Sequence, residues 1–248
     1  MPHVPAWAFV LLLGVLLIAA GLAAIRASGA RVSLARRLAG ARQLRVGDAL
    51  DADPLPARPV RLLGRVRCPD PIVTDRDERL VALHRDVEVR TPDGRWRVIE
   101  RVRETRGFEL WDHDGSLTLD PAHAAEPLVA IPHVWRGTTA ELSHPPYADA
   151  IARLAPDGRE LPARSVTRMV ATVDRLQVLA EVRPGPDGRR RLEPPPGGYV
   201  ISVLELPDAM RLLGGPRRGL LLAGAGLLGA GVVVAAISLG VALISAVA

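Results

Sequence analysis

Both ends of this 248-residue chain are apolar and uncharged, because every one of its 32 basic and 27 acidic residues lies between positions 26 and 218. A chain patterned this way cannot be a small soluble enzyme along its whole length, since its ends have no polar face to turn toward water. Residues 6–25 read AWAFVLLLGVLLIAAGLAAI, which as a helix rising 1.5 Å per residue crosses a hydrocarbon core of about 30 Å. The run is longer than the roughly 7 to 15 residues of a secretory h-region and no arginine precedes it, so it reads as a retained anchor. Residues 219–241 form a second candidate span, with the apolar run continuing to 248. In it Ala225 with Gly229, and Gly226 with Ala230, repeat small residues four apart, a spacing that lets helix backbones approach the first helix or a second copy.

Arg26, Arg31, Arg36, Arg37, Arg42 and Arg45 follow the first span, and Arg211, Arg217 and Arg218 precede the second. The positive-inside rule then places the middle of the chain in the cytoplasm of a two-span, multi-pass protein of a bacterial cell membrane. A bacterial source follows from base composition: the chain has no lysine and no asparagine, residues with AT-rich codons. Residues 26–59 read as a basic juxtamembrane segment and linker. Val32, Leu34, Leu38 and Leu44 among the arginines suit a surface of anionic headgroups, and the acidic, proline-rich 48–59 stretch reads as the linker proper. The expected partners are the lipid bilayer and another membrane or membrane-proximal protein. No nucleic acid is expected, because the arginines alternate with acids and form no stripe.

The folded domain is expected at 60–213. Asp-Gly turns at 93–94, 114–115, 157–158 and 187–188 separate short β-type runs. Strands are predicted at 60–67, 87–90, 95–103, 107–111, 116–119, 168–173, 176–182 and 199–203; in the 95–103 strand, Trp96, Val98 and Val102 should face inward and the arginines outward. Only 147–154 and 207–213 look helical. The fold class is therefore membrane-anchored α+β, with a mainly antiparallel β domain between two transmembrane helices.

Chemistry-bearing motifs are sparse. The single cysteine, Cys68, supports neither a disulfide framework nor a cysteine zinc module, and His84, His113, His123, His133 and His144 lie too far apart to set two ligands on one helix face. Asp112 and Asp114 around His113 fit a turn better than an acid/base pair, because aspartate bonds its own backbone two residues on. Ser143, His144 and Asp149 supply triad residue types without a nucleophile elbow, which leaves a membrane hydrolase as a remote alternative. No phosphate loop is present, and no metal, cofactor or catalytic residue is assigned. Trp96, Trp111 and Trp135, with Arg97 and Arg136, are candidates for a partner-binding patch, against the simpler reading that the tryptophans fill the core.

Gly64 to Pro69 (GRVRCP), Gly94-Arg95-Trp96, Phe108-Glu109-Leu110-Trp111-Asp112 with Gly115, Asp120-Pro121 and Ala124, and Leu192 to Pro195 before Ile201-Ser202 resemble the GIDE or beside-a-membrane (BAM) domain family. That family includes the mitochondrial membrane-anchored RING E3 ubiquitin ligases, where such a domain lies between two helices. The resemblance implies a domain held beside a bilayer and marks Gly64, Cys68, Phe108, Leu110, Asp112, Gly115, Pro121, Ala124 and Ser202 as motif positions of structural character. It also implies, as an alternative, an E3 ubiquitin transferase-like role. The residues of this sequence depart from the RING ligases, since one cysteine cannot build the zinc domain that recruits the conjugating enzyme. Val81, Ala82 and His84 replace the cysteine and aromatics of the family's next segment, and Ala180 stands where a glycine is usual. The functional expectation is a membrane-anchored binding or scaffold protein.

Overall fold

A computed structural model describes residues 6–27, 29–142, 145–185, 188–215 and 218–247. The chain divides into two compact units, one made of Met1–Ala35 with Leu213–Ala248 and the other of Arg36–Leu212.

In the first unit α1 (Ala6–Ala27) and α6 (Arg218–Val247) pair lengthwise. Glycines decide where they touch. A Cβ on Gly14 would stand 2.9 Å from the Ala235 nitrogen, and one on Gly231 2.8 Å from the Gly14 oxygen. One turn pair further along, a Cβ on Gly21 would stand 2.7 Å from the Gly224 oxygen. Gly14 and Gly21 are seven residues apart, as are Gly224 and Gly231, so two antiparallel helices meet backbone to backbone once every two turns. The expected small-residue pairs of the second helix are not the seam: Gly226 and Gly229 have open space beside them, because they lie on the face turned away from α1. Leu222–Gly240 is long and apolar enough to cross a membrane, while Phe9–Ile25 is a shorter apolar helix.

The second unit is α+β with two antiparallel-rich sheets. Its first sheet runs β11 (Arg190–Glu193), β10 (Arg175–Pro184), β2 (Val60–Arg67), β6 (Phe108–Asp112), β7 (Gly115–Leu119). β1 (Gln43–Arg45) joins β2 in parallel, and β12 (Val200–Ser202) joins β10. Its outer strands β11 and β7 approach each other, so the sheet curls into a nearly closed barrel. Strict alternation fills it: Val60, Leu62 and Val66 of β2 and Leu176, Val178, Ala180 and Val182 of β10 point into the core with Phe108, Leu110, Leu117 and Leu192. Gly64 continues that inward row without a side chain, since a Cβ there would stand 2.8 Å from Leu110 Cγ.

The second sheet runs β3 (Ile72–Val73), β4 (Arg79–Arg90), β9 (Pro162–Ala171), β8 (His133–Thr138), with β5 (Trp96–Thr105) on the other edge of β4. Val81, Ala82 and Val170 carry it into the barrel core. At its far end α4 (Pro145–Leu154) closes a satellite cluster of Val89, Ala155, Leu161 and Ala163 with Ile99, Leu142 and Leu154. The last helix of the unit, α5 (Leu206–Gly214), extends the expected 207–213 by one residue at each end.

Three expectations are corrected. The predicted juxtamembrane segment and linker are folded: α2 (Gly29–Gly40) buries Leu34 and Leu38, and Leu44 packs on the barrel core, so these side chains are not free to face headgroups. α3 (Val46–Asp51) buries Val46 and Ala49 in that core while its aspartates stay in water, so the unit begins well before residue 60. A bulge between Val87 and Glu88 of β4 skips Ile99 of β5, sending Ile99 to the satellite core and leaving Trp96 and Val98 exposed rather than inward. Finally, β8 was not expected, because its sequence HVWRGT lacks alternation and all but its last two residues are exposed.

His84, 7% exposed on β4, sits between Arg103 of β5 and Arg168 of β9, with Asp86 on its own strand and Glu126 nearby. Burial first, then the Arg103 charge, holds its pKa below the usual histidine value. Such a histidine stays neutral in the fold; it stabilises the domain above the unfolded-state pKa of about 6.5 and loses that contribution as pH falls. Thermal unfolding should therefore show a falling midpoint from pH 8 to pH 5, and His84→Gln should flatten the profile in that window. A further loss is expected below about pH 4.5, since the hydrogen bond from Arg103 holds the Glu126 pKa low. Gly231→Leu should lower the midpoint of the helix pair in detergent by about 1–3 kcal/mol of stability, through overpacking of the seam.

Candidate functional site

The outward face of the barrel sheet carries what its interior excludes. Along β2 the residues alternating with the core row are Arg61, Leu63, Arg65 and Arg67, and along β10 they are Arg175, Gln177 and Leu179. Antiparallel register sets Arg175 opposite Arg65 and Gln177 opposite Leu63, and on the other side of β2 it sets Trp111 opposite Arg65. Parallel β1 adds Gln43 beside Arg61 and Arg45 beside Leu63. Gln43, Arg45, Leu63, Gly64, Arg65, Trp111, Asp112, His113 and Arg175 thereby line an open cleft of about 630 Å³. It adjoins a second hollow of about 520 Å³ that shares Gln43, Leu63 and Arg175 and adds Arg61, Gln177 and residues 203–207.

The cleft is cationic and held in place. Trp111 lies half-buried, its Nε1 donating to the Val66 carbonyl at 3.3 Å while the Arg67 guanidinium stacks 4.7 Å from its ring centroid. Arg61, 8% exposed, donates to the Leu38 carbonyl at 3.1 Å and to Gln43 Oε1 at 3.0 Å, which fixes the Gln43 amide; burial lowers the Arg61 pKa. Two buried atoms here have no hydrogen-bond partner among the described residues, Arg61 Nε and Gln177 Oε1. Arg45, Arg65 and Arg175 are exposed and take part in no ion pair among the described residues. Asp112 lines one half and Glu205 the other, so four guanidiniums face two carboxylates.

Asp112 is committed to the backbone. Its Oδ2 accepts the Val46 N–H at 3.1 Å, satisfying the first turn of α3, and its Oδ1 accepts the Asp114 N–H at 2.9 Å across the β6–β7 turn. His113 Nε2 lies 2.8 Å from Asp114 Oδ1, and the side chains of Asp112, His113 and Asp114 bring potential ligand atoms within 4.8 Å of one another. The hydrogen bonds of a tight turn account for that gathering. Gly115 completes the turn: Leu50 of α3 occupies the space a Cβ would need.

The other motif positions serve packing or chain direction. Phe108 and Leu110 are core residues, and Cys68 is half-buried with its thiol donating to the Gly107 carbonyl at 3.5 Å. Pro121 is buried in a 3-10 turn whose preceding Asp120 caps Ala122, and Ala124 bridges to Tyr199. Ser202 is fully buried, its Oγ donating to the Leu204 carbonyl and accepting the Leu204 N–H. The tryptophan patch is not assembled. Trp111 belongs to the barrel sheet, whereas Trp96 stacks under Arg164 at 4.1 Å on the second sheet, and Trp135 points from the opposite face of that sheet. Arg97 alternates to the face opposite Trp96. Trp96 and Trp135 are each 37% exposed, so neither fills the core. Ser143 and His144 lie outside the described residues; Asp149 is exposed on α4.

The arginines of the cleft carry a sequence signal, alternation with apolar residues along 60–67, but their convergence with Arg175 depends on a strand pairing between residues 110 apart in sequence. No family model matches this chain, and comparisons with curated proteins and with solved structures found no match.

Asp112→Ala should cost about 1–3 kcal/mol in urea unfolding, because it leaves the Val46 and Asp114 N–H groups unpaired. Asp114→Ala, which leaves both bonds in place, should fall within about 0.5 kcal/mol of the parent.

Proposed function

We propose that this chain is a membrane-anchored binding or scaffold protein, in which α1 and α6 both span a bilayer and tether one β-rich domain of the beside-a-membrane kind. The observation that carries this reading is the pattern of exposure along the helix pair. Among the described residues the seam is covered, with Gly14, Gly21, Gly224, Gly231 and Ser238 buried, while Phe9, Leu12, Leu13, Leu16, Leu222, Val233, Ile237 and Leu239 stand 53–66% exposed. An apolar belt of this extent on a helix pair suits lipid rather than water.

Leu222–Gly240 covers roughly 28 Å at 1.5 Å per residue, and the Phe9–Ile25 helix continues through the apolar start of α1. The arginines flanking both helices on their domain side support a cytoplasmic domain of a bacterial membrane. Held there by both ends, the domain meets lipid headgroups and membrane proteins at high effective concentration, so modest affinity suffices for a scaffold. The arginine-lined cleft is the surface through which it binds. A ubiquitin-transferase role draws no support from these residues, whose one cysteine leaves no RING ligand set.

Reporter fusions test the reading: one active only in the cytoplasm and one active only outside it, each joined at the β10–β11 loop and at the C-terminus. Activity of the cytoplasmic reporter at the loop, with the protein resisting carbonate extraction from membranes, is the expected result. Release into the soluble fraction would overturn the anchoring, and an active exterior reporter at the loop would overturn the orientation.

A further inference from the structure

We infer that the cleft beside Trp111 is a binding site for a phosphate-bearing anion, held by Arg45, Arg65 and Arg175. The inference rests on the reading of the domain as a binding module and supplies its ligand class.

The decisive feature is placement. This chain is saturated with arginine, so an arginine alone means little; what carries weight is where strand register sets one directly opposite another, as it does for Arg183 with Arg191, Arg136 with Arg164 and Arg175 with Arg65. Arg85 pairs with Glu100, Arg101 and Arg103 with Asp86, Arg164 with Glu88, Arg183 with Glu181 and Arg191 with Glu193. The first two opposed sets are relieved by the carboxylates on Arg183, Arg191 and Arg164, whereas neither Arg65 nor Arg175 has an ion-pair partner among the described residues. They are directly opposite each other on adjacent antiparallel strands and project from the same face, and the nearest cleft carboxylate, Asp112, is committed to backbone N–H groups. Like charges at such positions repel, and an anion shared by the two converts the repulsion into a pair of charge-assisted hydrogen bonds.

The rest of the cleft suits a phosphate more than other anions. Arg45 comes from a third strand, so the donors surround the site rather than presenting a single fork, as a tetrahedral oxyanion requires. Leu63 and the anchored Trp111 ring give the pocket an apolar floor and wall for whatever the phosphate is joined to. Arg61 and Gln177 line the adjoining hollow of about 520 Å³, which leaves room beside the three arginines for whatever the phosphate is esterified to. An acidic peptide has no strand to extend, because the row lies on a sheet face with β2 flanked by β1, β6 and β10. The same phosphate chemistry comes from an anionic lipid headgroup or from a soluble phosphate compound, and the test separates these sources.

Full-length protein in uncharged detergent micelles is titrated with inorganic pyrophosphate, following tryptophan fluorescence and the thermal unfolding midpoint. Saturable binding is expected, weakened about tenfold or more by Arg65→Gln or by Arg175→Gln and unchanged by Arg97→Gln on the other sheet. Without pyrophosphate, Arg175→Gln should raise the midpoint by about 1–2 °C, since it removes the repulsion; with pyrophosphate, only the parent should gain further. A second arm places the protein in nanodiscs of phosphatidylcholine with or without phosphatidylglycerol. A fluorescence change on adding phosphatidylglycerol, absent in Arg65→Gln, assigns the site to headgroups; no change there alongside pyrophosphate binding in micelles assigns it to soluble phosphates. Equal affinities in parent and both arginine variants, or no binding in either arm, would overturn the inference. Failure of the anchoring appears instead as release of the chain from membranes and leaves the micelle titration interpretable.

Discussion

The register between β2 and β10 is the constraint on which the domain depends. Antiparallel pairing from Arg175 with Arg65 to Ala180 with Val60 turns Val60, Leu62 and Val66 toward Leu176, Val178 and Ala180 and so builds the barrel core. A slip of one residue would send Arg61, Arg65 and Arg67 inward, where an unpaired cation costs several kcal/mol. The hydrophobic core therefore fixes the register, and the register in turn fixes the outer face. Arg65 meets Arg175 there because nothing short of dismantling the core can separate them.

A second layer of constraint comes from the β6–β7 turn. Asp112 bonds both its own hairpin and the start of α3, while Gly115 makes room for Leu50 of the same helix. These contacts seat α3, whose Val46 and Ala49 enter the barrel core, and they hold Trp111 at the rim of the arginine cleft. One aspartate thus links a local turn preference to the closure of the core and to the wall of the cleft. The helix pair obeys a different rule: the places where a Cβ is missing set how closely the two backbones approach along the seam.

Much of this was legible in the sequence where the cause is local. The 60–67 strand, the Asp-Gly hairpin after Trp111 and the two helices near 147–154 and 207–213 follow from alternation and turn chemistry, and the structure places them within a few residues. What escaped has causes that are not local. α3 is short and looks like a linker because its aspartates and the prolines after it outweigh the single apolar turn that the barrel recruits. The bulge that skips Ile99 inverts the expected face of β5, and no residue type near it announces the change. At the cleft, the motif positions Gly64, Trp111 and Asp112 were marked from sequence, whereas Arg45, Gln43, Arg175 and Gln177 were not. They reach it from strands that only the folded register brings to β2.

Composition and placement therefore carry different information in this protein. The chain has no lysine, so its 32 strongly basic side chains are all arginine. Most of the ion pairs on the second sheet answer those charges locally, with an acid on the neighbouring strand beside each guanidinium. The barrel sheet has the same means available, as Arg67 with Glu109 shows one row away. The row that sets Arg175 against Arg65 lacks it, and the neighbouring strand instead offers an indole ring whose N–H is already bound to the sheet. Facing guanidiniums without a carboxylate partner keep a repulsion that water only screens, so this row is where an anion from outside the fold would gain most on the barrel sheet.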